Sequence, residues 1–280
     1  MMFENLIWSN WLPLCGQQDV YRQIPTKLSG LYRIRARGRD GLIYIGQTGR
    51  CVRERLRALR AGVYANQMPY NDPHTAAPNL WVWLQDSGFE YEFSYLISDL
   101  PPAERQGLED YFLWRHRQDY GFSTLCNYGR FHKHWIKPSN RKQGRKGRLL
   151  EDGQLNPAGV TTSQLLNSTG RSSDDFWMGL EWSAPLQLSS ENLNVLGNTP
   201  SVYRIMDSEN REVIYIGETK ETQKRLKAHM RKSWNNKQPL FSFAQNIDLS
   251  LPHLRHEVEV DLIGAYFEEN QRVPRFQYGQ

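Results

Sequence analysis

The sequence predicts an α+β fold made twice: two copies of a small three-stranded antiparallel sheet flanked by helices. Three observations predict it. First, "GLYRIRARGRDGLIYIGQTG" (30–49) and "SVYRIMDSENREVIYIGETK" (201–220) each carry "YR" and "YIG", with tyrosines twelve residues apart: Tyr32 to Tyr44 and Tyr203 to Tyr215. Second, a glutamate precedes a late amide by eighteen residues in both halves, Glu109 to Asn127 and Glu259 to Gln277. Third, a Trp-Ser pair stands some twenty residues before each "YRI", in "IWSNWLPL" (7–14) and "EWSAPLQL" (181–188).

The elements follow in order. "GLYRIRA" alternates apolar and basic residues, "RGRDG" supplies an Asp-Gly turn, and "LIYIG" is β-branched and aromatic, so a two-stranded hairpin is expected; "SVYRIMD", "SENRE" and "VIYIG" fill the same slots. Apolar residues near helical spacing then predict helices over "CVRERLRALR" (51–60) and "ETQKRLKAHMR" (221–231). A third strand is expected at "YEFSYLI" (91–97) and "LFSFAQNI" (240–247). A second helix follows at "LEDYFLWRHR" (108–117) and "VEVDLIGAYF" (258–267), and the copies close on "LCNYG" and "RFQYG". The expected domains are 1–130 and 179–280, joined by a basic, then polar connector over 131–178. From Arg55 to Phe93 is 38 residues, against 16 from Arg225 to Phe241, so the first copy holds about 22 extra residues near 61–83. Tyr64, Asn66, Gln67, Tyr70, Asn71, His74, Asn79, Trp81 and Trp83 in this insertion mix amides with aromatic faces, which suits base recognition; packing of the loop by its own tryptophans is the alternative.

At 280 residues the chain is long enough for two small domains. No apolar run reaches the length of a membrane span, and the first residues lack the pattern of a secretion leader. Cys15, Cys51 and Cys126 are scattered and match no metal or disulfide spacing, so a reduced, cytoplasmic protein is expected. The net charge is +5, unevenly spread. Residues 22–60 hold eleven Lys/Arg against Asp40 and Glu54, and residues 130–148 hold eight Lys/Arg and no acid. Such blocks repel themselves unless a polyanion neutralises them, which points to nucleic acid. The candidate contacts are Arg33, Arg35, Arg53 and Arg57, Arg141, Lys142, Arg145 and Lys146, and Lys220 and Lys224.

The ordered set of two tyrosines, helical arginine, helical glutamate and closing amide resembles the GIY-YIG nuclease domain, which occurs in some homing endonucleases, restriction enzymes and the incision nuclease of bacterial excision repair. The resemblance implies roles position by position. Tyr32, Tyr44, Arg55, Glu109 and Asn127 match in the first copy, with Arg53 competing for the arginine slot. Tyr203, Tyr215, Arg225, Glu259 and Gln277 match in the second, with Glu257 as a less favoured neighbour of Glu259. His229 falls where several family nucleases have a histidine; Leu59 holds that place in the first copy. Ser201 replaces the motif glycine, and Gln277 replaces the asparagine. Glu109 and Glu259 are the implied ligands of Mg²⁺ or Mn²⁺, which act as Lewis acid on a phosphate oxygen. A tyrosine is the implied general base, which requires a phenol pKa lowered by a neighbouring Arg or Lys. The resulting expectation is a double-stranded-DNA endonuclease, monomeric as its own pseudo-dimer or a higher oligomer. It would cut both strands through two sites, as a restriction or phage-defence enzyme. A single-site nicking or repair-type nuclease, or a non-catalytic DNA-binding protein on the same fold, is the alternative.

Overall fold

The computed structural model describes residues 6–235 and 239–279. The chain divides into two compact units, Met1–Thr161 and Thr162–Gln280. The stretch read as a connector is thereby shared between them. Among the described residues no helix is long and apolar enough to cross a membrane.

In the first unit, β1 (Leu12–Pro13) and α1 (Gln18–Arg22) precede the hairpin of β2 (Gly30–Ala36) and β3 (Tyr44–Thr48). Then come α2 (Val52–Val63), α3 (Ala77–Ser87), β4 (Tyr91–Ile97) and α4 (Pro102–Tyr120). The sheet is antiparallel, in the order β1-β4-β2-β3. It therefore has four strands where three were expected; the fourth is a two-residue edge, too short to show as alternation in the sequence. A small hairpin, β5 (Trp135–Ile136) with β6 (Arg148–Leu149), and α5 (Pro157–Val160) complete the unit.

The second unit runs β7 (Leu186–Gln187), α6 (Ser190–Asn194), β8 (Ser201–Met206), β9 (Val213–Thr219), α7 (Thr222–Met230), β10 (Leu240–Ala244) and α8 (Pro252–Asn270). Its antiparallel sheet has the order β7-β10-β8-β9. Both long helices begin six residues before the stretches read from periodicity, at Pro102 and Pro252. Proline suits the first helical turn because its missing N–H would be unpaired there anyway.

The Trp-Ser pairs are clips at the edge of each sheet. Ser9 N donates to Tyr95 O (2.8 Å), Tyr95 N donates to Ser9 Oγ (3.0 Å), and Ser94 Oγ donates to Ser9 O (2.8 Å). In the second unit Ser183 N donates to Phe243 O (2.8 Å), Phe243 N to Ser183 Oγ (3.1 Å), and Ser242 Oγ to Ser183 O (2.8 Å). A serine is suited to this because one hydroxyl both accepts and donates beside its own backbone groups.

One face of each sheet is the core. Tyr32, Ile34 and Tyr44 pack with Leu56, Leu59 and Phe93 in the first unit. Tyr203, Ile205 and Tyr215 pack with Leu226, Trp234 and Phe241 in the second. Strand alternation thus sends both tyrosines of each hairpin to the same side, because Tyr32 and Tyr203 lie two residues before the cross-strand partners of Tyr44 and Tyr215. The same alternation sends Arg33 and Arg204 to the opposite side.

Candidate active site

The glycine of each "YIG" exists to let two phenols meet. A Cβ on Gly46 would lie 2.7 Å from the hydroxyl oxygens of both Tyr32 and Tyr44; one on Gly217 would lie 2.5 Å from that of Tyr203. With no side chain there, the rings pack at 6.0 Å (Tyr32–Tyr44) and 6.1 Å (Tyr203–Tyr215) between centroids. The serine standing for the other motif glycine is harmless for a local reason. A Cβ on Gly30 would strike the Leu96 carbonyl of β4, whereas β10 ends at Ala244, before it reaches the level of Ser201. Ser201 Oγ instead accepts from Thr222 Oγ1 (2.6 Å).

In the second unit Arg225 rises from α7 and joins the phenols: Nε donates to Tyr203 OH (3.0 Å) and Nη2 to Tyr215 OH (3.4 Å). The Tyr203 hydroxyl also lies 2.8 Å from His229 Nε2. Since it accepts from Arg225, its one proton is free for that nitrogen. Tyr215, Arg225, His229 and Glu259 border one cavity of about 500 Å³, closed by Phe276 and Gln277. Lys232 also borders it, its Nζ 5.3 Å from the Tyr215 ring centroid. Sequence reasoning missed Lys232, although its place three residues after His229, just past the end of α7, was a legible signal. Burial first, and Arg225 second, pull the Lys232 pKa down.

Gln277 Oε1 accepts from Ile216 N (3.1 Å) and its Nε2 donates to Ile216 O (3.1 Å), so the amide is spent on the backbone of β9. Asn127 does the same to Ile45, at 3.0 and 2.7 Å, and accepts from Thr124 Oγ1 (2.8 Å). Both amides pin the "YIG" strand from the chain's return segment. They are positioning residues.

The first unit repeats this arrangement under a cover. Arg55 Nε reaches Tyr32 OH at 3.4 Å, while its Nη1 donates to Pro73 O (2.5 Å) of the insertion. Arg53 is turned away, donating to Ile24 O and Arg22 O, so Arg55 fills the arginine slot. Leu59 is core, as its apolar side chain requires. The histidine comes from the insertion: His74 Nε2 lies 2.8 Å from Tyr32 OH, and its ring sits edge-on to both tyrosines at 5.9 and 5.8 Å. No spacing rule could place it, because it arrives through a loop. The insertion is correspondingly a packed structure rather than a free reading loop. His74 and Asn79 are buried, Asn79 Nδ2 donates to Leu125 O and Arg130 O, Trp81 Nε1 donates to Ala65 O, and Trp83 stacks on Phe89 at 5.3 Å. Tyr44 is 7 % exposed, whereas Tyr215 is half-buried.

Electrostatics do not lower the three buried phenols. Burial outweighs the arginines: it raises Tyr32 and pushes Tyr44 and Tyr203 well above the ordinary tyrosine value. Tyr32, Tyr44 and Tyr203 stay protonated. The histidines move the other way. Burial and then Arg225 bring His229 down to about 4, and burial and then Arg55 hold His74 well below its usual range. Both imidazoles are neutral at pH 7.

The carboxylates divide. Glu259 borders the cavity, 18 % exposed, with His256 Nδ1 3.1 Å away. Glu257 is fully buried and accepts from Ser163 N (2.6 Å), which removes it as a ligand candidate. Glu109 is half-buried and close enough to raise both Tyr32 and Tyr44. Among the described residues no three His, Cys, Asp or Glu side chains gather. One carboxylate beside an open, wettable cavity fits Mg²⁺, which keeps most of its waters, and does not fit a closed zinc site. Cys51 and Cys126 are buried, and burial pushes the Cys126 thiol up, so it is no nucleophile.

The remaining basic candidates divide. Arg35 is paired with Glu92 (2.7 Å) and Lys224 with Glu221 (3.2 Å). Arg57 and Lys220 are exposed, and so are Arg141, Lys142, Arg145 and Lys146. The last four occupy the turn between β5 and β6, anchored to the insertion by Arg141 N donating to Asp72 Oδ1 (2.6 Å) and Asn71 N to Ser139 O (3.2 Å).

Two phenols bridged by a helical arginine, with a histidine and one carboxylate around a pocket on a small antiparallel sheet, resemble a GIY-YIG catalytic site. Residues 199–256 match the family model described as the GIY-YIG catalytic domain. Over 83 residues the chain is 40 % identical to the UvrABC system protein C of Shewanella piezotolerans, a match covering 28 % of this chain and 14 % of that protein. The chain thus spans only a small part of that relative's length. No solved structure matches this chain.

Proposed function

We propose that the protein is a divalent-metal-dependent DNA endonuclease. The observation that carries this is the convergence of Tyr215, Arg225, His229, Lys232 and Glu259 on one cavity in a basic chain. Each group has work to do on a phosphodiester. Arg225 is held by two phenolic oxygens and stays charged, presenting a donor fork to a phosphate. Lys232 adds a second cation on the same cavity. Tyr215 is the phenol that meets substrate; Tyr203, beneath it, orients Arg225 and His229. Neutral His229, whose Nε2 holds the Tyr203 hydroxyl, would take a proton only by way of that phenol. Glu259 would hold Mg²⁺ or Mn²⁺, which supplies Lewis-acid polarisation of the scissile phosphate.

The shared strand order, Trp-Ser clips, arginine–phenol contacts and amide clamps support a tandem duplication, with domains near 1–130 and 179–280. Two sites in one chain would address the two strands of duplex DNA. Free divergence of the halves would suit an asymmetric or modified target, as in restriction or phage defence. A single-site reading, with the first unit as a recognition copy, is favoured by one observation: the insertion covers the first constellation with His74 and Pro73.

The test is supercoiled plasmid incubated with the protein and Mg²⁺. Cleavage is expected, is lost on chelation, and falls by about 10²-fold or more in Glu259→Ala while a gel shift persists. Undiminished cutting by Glu259→Ala would remove Glu259 from the mechanism. A gel shift without cleavage by the wild type would make the chain a binding module.

A further inference from the structure

The face of the first sheet opposite the tyrosines carries a second cavity, of about 420 Å³, which the cutting site does not use. Trp8, Trp11, Arg33, Arg39, Phe112 and Tyr120 are among its walls. The Arg33 guanidinium lies 4.3 Å from the Trp8 ring and 4.8 Å from the Trp11 ring. Among the described residues it has no hydrogen-bond acceptor and no carboxylate, and its Nε is buried without a partner. An arginine in that state is costly unless something supplies acceptor oxygens.

The second unit shows what this position takes. Arg204 stands in the same register, opposite Ser242 and Ile216 as Arg33 stands opposite Ser94 and Ile45. It lies 4.5 Å from the ring of Trp182, the counterpart of Trp8. There the chain itself fills the space: Arg204 Nη1 donates to the carbonyl oxygens of Ser172 and Asp174, and the side chain is fully buried. Its Nε is unpaired as that of Arg33 is, so the two copies differ in the carbonyl acceptors that Arg204 has and Arg33 lacks. In the first unit no described segment does this, and the same place is a cavity.

Charge and shape choose the occupant. Arg35 is spent on Glu92, and Arg115 has Asp119 at 3.2 Å. Arg33 and Arg39 are left, with only Asp40 against them among the remaining wall charges. Indole, phenyl and phenol rings make up much of the rest. Two guanidinium forks favour phosphate oxygens, and aromatic walls favour a planar base. The volume suits one small ligand. We propose that this cavity seats a single nucleotide, its phosphate on Arg33 and Arg39 and its base against the rings of Trp11 and Tyr120. The nucleotide comes either from an unstacked position of a DNA strand or from the free pool; the recognised chemistry is the same. The site stands whether or not the second unit cuts, since it lies on the other face of the other sheet.

Photocrosslinking tests it. The full chain, with chelator present, is irradiated with 5-iododeoxyuridine monophosphate in one arm and with a single-stranded oligonucleotide bearing that base in the other. The adducts are mapped by mass spectrometry. Adducts on Trp11 or Tyr120 are expected in at least one arm, and the arm tells the source. Arg39→Gln, which also removes a guanidinium lying 4.7 Å from the Phe89 ring, and Arg33→Gln, both checked by thermal melt, should each cut the yield about tenfold, the loss of one charge-assisted pair. No adduct in either arm, or adducts undiminished in Arg39→Gln, would overturn the proposal. So would equal competition by inorganic phosphate or by a glutamate-rich peptide, since neither offers a base.

Discussion

Gln277 shows how one side chain can serve a site by holding its backbone. Its amide replaces a strand partner for Ile216, holding the backbone beside Tyr215 from 61 residues away in sequence. Gln277→Met keeps the volume and removes both hydrogen bonds, leaving a buried N–H and C=O unpaired. A loss of about 1–3 kcal/mol in denaturant unfolding of the second unit is expected, with cutting impaired through misplacement of Tyr215. An unchanged midpoint would mean the clamp is idle. The histidines make a second residue-scale prediction. His116 and His229 are brought by burial from 6.5 to about 4. The unfolded chain therefore takes up protons below about pH 6.5 that the folded chain refuses. Stability is full above that value and is lost progressively as pH falls toward 4, by roughly 3 kcal/mol per histidine at the limit. Denaturant midpoints at pH 7 and pH 5 measure this; His116→Gln should narrow the gap, and equal midpoints in the wild type would contradict it. At this scale the sequence named much of the site. Tyr203, Tyr215, Arg225 and Glu259 stand at fixed offsets within regular elements, where spacing determines facing. His74 was read as a base contact because a loop carries no periodicity. The raised pKa of Tyr32, Tyr44 and Tyr203 was not legible, because desolvation depends on what covers a ring, which no local pattern records.

The β5–β6 hairpin and the insertion are elements whose nature the sequence hid. Eight cations and no acid over 130–148 read as a solvated linker or a backbone-tracking tail. The structure ties this stretch back to Asp72 and Asn71 and leaves four cations together on the exposed turn. Two-residue strands fall below any alternation signal, and the anchoring groups lie about seventy residues away. A presented cluster suits phosphate contact better than a loose tail, since less ordering entropy is lost on binding. Neutralising Arg141, Lys142, Arg145 and Lys146 to Gln is expected to weaken binding to all DNA sequences alike. The slope of log K against log salt should become shallower by up to about 0.9 for each contact removed. A slope equal to the wild type's would show that the hairpin does not touch the backbone. The long helices and central strands, by contrast, were legible because each buries one face over several turns or pleats.

At the scale of the whole molecule, the question is what the first constellation does while the second is open. In the second unit Tyr215 borders a cavity and Arg225 is exposed. In the first, the same groups lie beneath the insertion, with Arg55 bound to Pro73 O and His74 against both rings. If both sites cut, the open one needs no rearrangement, whereas the covered one must first displace Pro73 from Arg55 before that arginine can reach a phosphate. The hydrogen bond to a charged donor and the packing of His74 together make opening the slower step. Supercoiled plasmid should therefore pass through nicked circles that accumulate before linear product appears. Glu109→Ala should stop at nicked circles at an undiminished first rate. Glu259→Ala should lose the fast nicking phase. Trapping the cover is the sharper arm: a disulfide or crosslink between the insertion and α2 should abolish linearisation and leave nicking untouched. Linear product formed without a nicked intermediate would show that the two sites fire together and that the cover is no barrier. Nicking alone, at any enzyme concentration and with Glu109→Ala identical to wild type, would make the first unit a recognition copy with its site permanently closed.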